Sequence, residues 1–431
     1  MILSLSDSLS RGLVALAAVV CVLALSFYSL RMSLAANFAD KESAQGYARA
    51  VRLEPENPEY WYRYGHYQQF NLEEPDPAAA VGYLQKAIAL DPNYTDAWLD
   101  LATSYELDGN EKGAFEAYHR AQLSYPTSAE VAWRKGNFLL RQGQLPEAFQ
   151  ALHLALQLDP KRAAAAFSRC YRAQPDVELI LDKVMPPVPA AYVDVIAETA
   201  SARQFAVALI VWKRLIALQP HLVIHDFDLL VGVLFQGNEF AQAQRVWDEG
   251  TARIGLPPLL AAPDSLVWDP SFESGVSNHA LSWQYQPLEQ GVQTALDSSE
   301  KISGSQSLRM TFDGKHNPNL RVACITTFVE PGRTYHFSGW IKTKSITTLQ
   351  GIGFVLIPSG TPQPPGVSTR EIHDSNPWTY LDARITAGSD THHVDICVVR
   401  YPSDDPDVRI SGSAWVDDVN LVPEPAGPRK P

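Results

Sequence analysis

The chain has 431 residues, 46% hydrophobic and only 19% charged. That excludes a largely disordered or coiled-coil protein and leaves room for two to three domains of roughly 150 residues each. With 35 Lys and Arg against 48 Asp and Glu, the net charge is −13 and no basic stripe of the kind a nucleic-acid binder carries is present. The four cysteines, Cys21, Cys170, Cys324 and Cys397, are too scattered for a disulfide scaffold or a Cys-x-x-Cys metal site.

After a short tail (1–11), the run from Gly12 to Leu30 contains no charge and is bracketed by Arg11 and Arg31. As a helix it spans ~28 Å, close to the ~30 Å hydrocarbon thickness. The expectation is a retained single-pass anchor. A cleaved signal peptide is the rival, because Ser33-Leu34-Ala35 offers small residues to a peptidase, but the apolar run is long for a signal and its cationic flank is one arginine. No second span follows, so the rest of the chain is expected in one compartment. Cys21, mid-span, reads as an ordinary apolar residue.

A helical period then sets in, expected over 38–254. Pro92, Pro126 and Pro160 recur every 34 residues, preceded by the similar runs KAIALDP, RAQLSYP and LALQLDP. Ala87, Ala121 and Ala155 keep the same period, and a leading half-repeat runs from Asp40 to Pro55. Within one unit Trp98, Leu101, Ala102, Tyr105, Gly109, Ala114, Tyr118, Ala121 and Pro126 fall at helix-turn-helix spacing. This pattern resembles the tetratricopeptide repeat. Small alanines let paired helices approach, aromatics fill the gaps and proline ends the second helix. The period breaks after Pro160, where Pro186-Pro187-Val188-Pro189 interrupts any helix, and a last pair is expected from about Leu222 to Arg253 with Gly237-Asn238 as its turn.

The resemblance implies a scaffold whose first helices line a groove for a protein partner. Its groove residues would be Tyr62 and His66, then Leu99 and Thr103, then Trp133, Asn137 and Arg141. Trp133 has a second reading, as the core tryptophan of its repeat slipped by one position from Ala132. His221 and His225 stand four apart but lack a third ligand nearby, and read as surface or packed histidines.

A proline-rich linker (255–263) separates the helices from a β domain (264–423), followed by a tail (424–431). SLRMTFDG, RVACITTFV, TYHFSGWIKT, IGFVLI, TYLDARI, HHVDICVVRY and AWVDDVNLV read as strands broken by Gly, Pro, Asn and Asp. Seven or eight such strands suit a β-sandwich or jelly roll. Trp268-Asp269-Pro270-Ser271-Phe272-Glu273, Gly304-Ser305-Gln306-Ser307-Leu308, Val329-Glu330-Pro331-Gly332 and Trp415-Val416-Asp417-Asp418-Val419 follow one another in an order similar to carbohydrate-binding modules with the galactose-binding-like jelly roll (family 4/9/22 kind). That resemblance implies a structural calcium held by Glu273 with Asp417 or Asp418. The alternative is that Asp417 and Asp418 merely end an edge strand.

Sugar binding needs aromatic faces flanked by polar groups. Alternation puts Tyr335, Phe337, Gly339 and Ile341 on one face of a strand, and His336, Ser338, Trp340 and Lys342 on the other. The second face is the candidate binding surface, with Trp283, Tyr285 and Tyr401 as further candidates and Trp378 as a strand anchor. Core packing is the competing role for each aromatic. Cys324 and Cys397 are able to pair outside the cytoplasm, a question sequence leaves open.

No nucleophile elbow, zinc-protease, P-loop or dinucleotide motif is present, and Asp404, Asp405 and Asp407 read as a solvated loop. Glu273 and Glu371 are the carboxylates that a glycosidase or lyase reading would use. The sequence therefore predicts a transmembrane helix, an α-solenoid and a C-terminal jelly roll. The function expected is a non-enzymatic, membrane-anchored extracytoplasmic adaptor for a protein and a carbohydrate, in cell-envelope or exported polysaccharide assembly. The alternatives are a structural assembly factor that binds no sugar, and a carbohydrate-active enzyme.

Overall fold

The computed structural model describes residues 8–71, 75–256, 265–285, 291–403 and 408–425. Most of the expected linker and tail, and Asp404, Asp405 and Asp407, lie outside the described residues. The chain divides into two compact units, 1–191 and 192–431.

The first unit opens with α1 (Ser8–Ala39), whose stretch from Arg11 to Ala39 is apolar and long enough to cross a membrane. The helix does not end at Leu30. Its last turns bury Ala35 and Ala39 completely, in one cluster with Tyr47, Ala50 and Val51 of α2 (Ala44–Leu53) and Tyr60 of α3 (Pro58–Phe70). The leading half-repeat is therefore a whole helical pair, its first helix supplied by the end of the apolar segment.

Three further pairs follow: α3 with α4 (Pro77–Leu90), α5 (Thr95–Leu107) with α6 (Glu111–Ser124), and α7 (Ala129–Arg141) with α8 (Leu145–Leu158). Side chains of Ser43, Asn57, Asp76, Asn110 and Ser128 accept the free amides at five helix starts. Ala87, Ala121 and Ala155 are fully buried where the helices meet. At two equivalent positions even a methyl group would not fit: a Cβ on Gly65 would lie 2.8 Å from the Leu84 side chain, and one on Gly136 2.7 Å from Leu152. The indoles of Trp61 and Trp98 each donate to the carbonyl of the proline six residues earlier, Pro55 and Pro92, at 2.8 Å. These contacts fasten one repeat to the next. After a 3-10 turn at Pro160–Arg162 come the shorter α9 (Ala163–Ala173) and α10 (Val177–Lys183), where the sequence period fails. The boundary between the units falls inside α11 (Pro189–Ser201).

The second unit holds α12 (Phe205–Ala217), α13 (His225–Gln236) and α14 (Phe240–Arg253), followed by the strands. Phe227 packs between Trp212 and Trp247, and Trp247 meets Trp268 edge-on at 5.1 Å. Asp228 of α13 accepts from the Ala280 amide and faces His279, while Phe235 and Phe240 lie against Phe328 and His393. The last helical hairpin thus belongs to the same compact body as the sheets.

Ten strands are described, in two antiparallel five-stranded sheets. They are β1 (Gln284–Tyr285), β2 (Val292–Asp297), β3 (Ser307–Asp313), β4 (Leu320–Phe328), β5 (Thr334–Ile346), β6 (Gly353–Pro358), β7 (Val367–Ser368), β8 (Asp374–Thr386), β9 (His393–Arg400) and β10 (Ser411–Pro423). The orders are β1-β4-β9-β6-β7 and β2-β3-β10-β5-β8. Phe337 of one sheet meets Phe354 of the other at 5.0 Å, and a Cβ on Gly339 would sit 2.8 Å from that Phe354 ring. The ends of this region pair: the Leu266 amide donates to Leu421 and the Val419 amide to Pro270.

Candidate functional site

In the first unit the predicted groove residues fall on α3, α5 and α7, and most of them join one polar row. Asp100, almost fully buried, accepts from His66 at 2.7 Å and from the Arg134 guanidinium at 3.2 Å, and Arg134 also donates to the Thr103 hydroxyl at 2.6 Å. The hydrogen bond to Asp100 raises the His66 pKa against the opposing effect of burial. Tyr62 packs on Tyr94 at 4.9 Å, and Arg141 pairs with Glu106. Asn137 anchors itself on the Trp133 carbonyl and accepts from Arg169. Leu99 is a correction: it is 2% exposed and belongs to the hydrophobic core of the repeats. Trp133 is half-buried with the guanidiniums of Arg162 and Arg169 over its ring at 5.5 and 4.8 Å, whereas Ala132 takes the core position. It is offset by one from the position that Trp61 and Trp98 share, so the residue six before it is Thr127 and not Pro126.

In the second unit, β5 alternates as its sequence predicts. Tyr335, Phe337, Gly339 and Ile341 are buried, while His336, Ser338, Trp340 and Lys342 are half-buried on the outer face. Trp340 meets Tyr380 of β8 edge-on at 5.3 Å, and Tyr380 is 43% exposed. His336 faces Asp382 at 3.3 Å beside this pair. Lys342 is held by Glu300 at 2.6 Å and lies over the Trp415 ring. An aromatic pair with polar groups along one side is an arrangement on which a pyranose ring can stack. Trp283 is a second correction: it is fully buried, packs at a tilt against Phe272 and donates to the Asp269 carbonyl, so it is core. Tyr285 is half-buried on the edge strand β1.

Tyr401, 38% exposed, stands apart from the Trp340 face. With Arg321, Gln363, Asn319, Val355 and Ile357 it lines a groove of about 620 Å³ on the other sheet. Sequence reading missed all of these but Tyr401, because the groove forms where the segment before β7 folds back over β6. Gly366 lies so close to Val355 that a Cβ would be 3.2 Å away. Cys324 and Cys397 face each other across β4 and β9 and form a disulfide on this sheet.

The carboxylates proposed for calcium hold a loop. Glu273 accepts the amides of Ser305 and Gln306 at 2.8 and 3.0 Å and the Ser305 hydroxyl. Asp417 accepts the amides of Ile302 and Ser303 at 2.6 and 3.0 Å, and that of Asp418 at 2.7 Å. Burial opposes ionisation of Glu273, but the hydrogen bonds from Ser305 and Gln306 hold its pKa below the usual range. Burial raises the Asp417 pKa despite its amide donors. Asp418 turns at a bulge with φ 50° and accepts from Asn420. Gly304, at φ 60°, leaves room for the Glu273 carboxylate, which explains the Gly-Ser-x-Ser run. A hard cation wants converging oxygen ligands, whereas N–H and O–H donors surround these carboxylates, and no cluster of three or more His, Cys, Asp or Glu forms among the described residues. The residues as arranged do not fit calcium. Glu371 likewise accepts from the Gly351 amide.

The profile of the tetratricopeptide repeat family matches residues 71–134, and this part of the chain consists of such repeats. Among curated proteins, the peroxisomal targeting signal receptor of Komagataella phaffii is 30% identical over 137 residues, covering 32% of this chain and 21% of the receptor. The type IV pilus assembly protein PilF of Pseudomonas aeruginosa is 35% identical over 101 residues, covering 23% of this chain and 38% of PilF. The chain therefore spans well under half the length of either relative. Of solved structures, MamA overlaps 46% of this chain and 97% of its own at 17% identity and TM-score 0.30. TmCBM61, solved in complex with β-1,4-galactotriose, overlaps 37% of this chain and 99% of its own at 17% identity and TM-score 0.26.

Proposed function

We propose that the protein is a non-enzymatic, membrane-anchored adaptor. Its tetratricopeptide repeats hold a protein partner along the row of first helices. Its two sheets form a jelly-roll sandwich that binds carbohydrate through the Trp340–Tyr380 face, in cell-envelope or exported polysaccharide assembly. The observation that carries the sugar reading is the pair of half-buried Trp340 and exposed Tyr380 on an outer sheet face, with His336 and Asp382 beside it. The anchor reading is supported by α1, which runs unbroken through Ala35 into the first repeat. Placement outside the cytoplasm, periplasmic in a Gram-negative cell, is supported by the Cys324–Cys397 disulfide, since such bonds persist in oxidising compartments.

The test is a glycan array probed with the detergent-solubilised full chain, and with Trp340→Ala beside it. Binding that the variant loses supports the reading. An array on which the folded parent binds nothing leaves a structural assembly factor as the better account.

A further inference from the structure

We propose that the row of first helices is polarised along its length and takes an extended peptide whose acidic end lies over α7 and α9. The inference rests on the reading of that row as the partner surface. At the α3–α5 end three acids, Glu59, Asp96 and Asp100, stand against two bases, His66 and Arg134. Asp100 takes up both His66 and Arg134, and the Tyr94 hydroxyl donates to Glu59. Burial and the nearby Asp100 raise the Asp96 pKa.

At the α7–α9 end the balance reverses. Arg162 is neutralised by Glu130 and Asp159, and Arg141 by Glu106. Arg169 is different: its hydrogen-bond acceptor is the neutral side chain of Asn137, and the Trp133 ring lies beneath it at 4.8 Å. Partial burial and the positive fields of Arg172 and Arg141 make its charge harder to hold, so its pKa falls below the usual arginine range. Guanidiniums repelling one another in a chain of net charge −13 mark a place where a carboxylate from outside would be welcome. Arg169, oriented by the indole and by Asn137 and exposed to solvent, presents a pre-aligned fork for it. The acids at the other end would repel the same carboxylates. The charge pattern therefore sets direction as well as affinity.

The test is fluorescence anisotropy with the solubilised full chain. The probe is a labelled peptide with a run of glutamates at one end, compared with its glutamine counterpart. The glutamate peptide should bind about tenfold tighter. Arg169→Glu should abolish that preference, and Arg172→Glu, a change at an exposed helix position that leaves the core untouched, should reduce it. A photo-crosslinker at the glutamate end should label α9 and not α3. Equal binding of the two peptides, or labelling on α3, overturns the polarity while leaving the groove as a peptide surface. Failure of both peptides to bind removes the partner reading, and this inference with it.

Discussion

Two tryptophans of the second unit differ in burial, Trp283 being fully enclosed and Trp340 half-buried on an outer sheet face. Trp283→Ala would empty a filled core site and should cost about 3–5 kcal/mol in a denaturant melt. Trp340→Ala removes an outer-face ring, and should leave the melt nearly unchanged while weakening glycan binding. A Trp340→Ala chain that unfolds would make that face part of the core. Asp297 supplies a pH signature. The Ser299 hydroxyl, the Trp415 indole and the Ser299 amide all donate to it, and they hold its pKa down to about 2. With the folded value below the ordinary ~3.9, the unfolded chain takes up the proton first as pH falls. The stabilisation is complete above roughly pH 5 and is lost toward pH 2. Asp297→Asn should flatten that acid limb, and identical acid melts of parent and variant would refute the assignment.

At the level of elements, helix packing is governed by the small residues at the closest approaches. Ala121→Trp should overfill such a contact and cost about 1–3 kcal/mol, read from thermal melts; an unchanged melt would mean the repeat phase is misassigned. The Ile302–Gln306 loop is closed by Glu273 and Asp417 through amide donors. Excess chelator should therefore leave the melting temperature where it is, whereas Glu273→Gln should lower it. A melting temperature that drops with chelator and returns with calcium would restore the metal reading. Seven of the strands were legible from alternation and turn residues. The two-residue strands β1 and β7 carry too few positions for any period, and the alternation of β2 is blunted by its half-buried middle.

For the whole molecule, the consequential element is α1. The turn that a signal peptidase would cut is the one that buries Ala35 and Ala39 against the first repeat. Cleavage after Ala35 would remove that alanine and fray the helix end bearing Ala39. Protein isolated from membranes is therefore expected to carry the residues before Ala35. N-terminal sequencing that starts at Ala36 would overturn both the anchor and the role of α1 in the first repeat.

The linear chain determined the elements whose signal is local. A charge-free run, a 34-residue period closed by proline, and strands alternating between turns each follow from the geometry of a single segment. That His66, Thr103 and Arg141 fall on successive first helices was legible for the same reason, since a repeat carries its own register. What only the tertiary structure decided involves segments distant in sequence. Leu99 and Trp283 are core because neighbouring elements close over them. Glu273 and Asp417 are occupied because a loop that is remote from Asp417 in the chain turns its amides toward both. Arg169 matters because helices about thirty residues apart bring its charge beside Trp133, Asn137 and Arg141. Burial and electrostatics are sums over neighbours in space, and the order of residues along the chain does not name those neighbours.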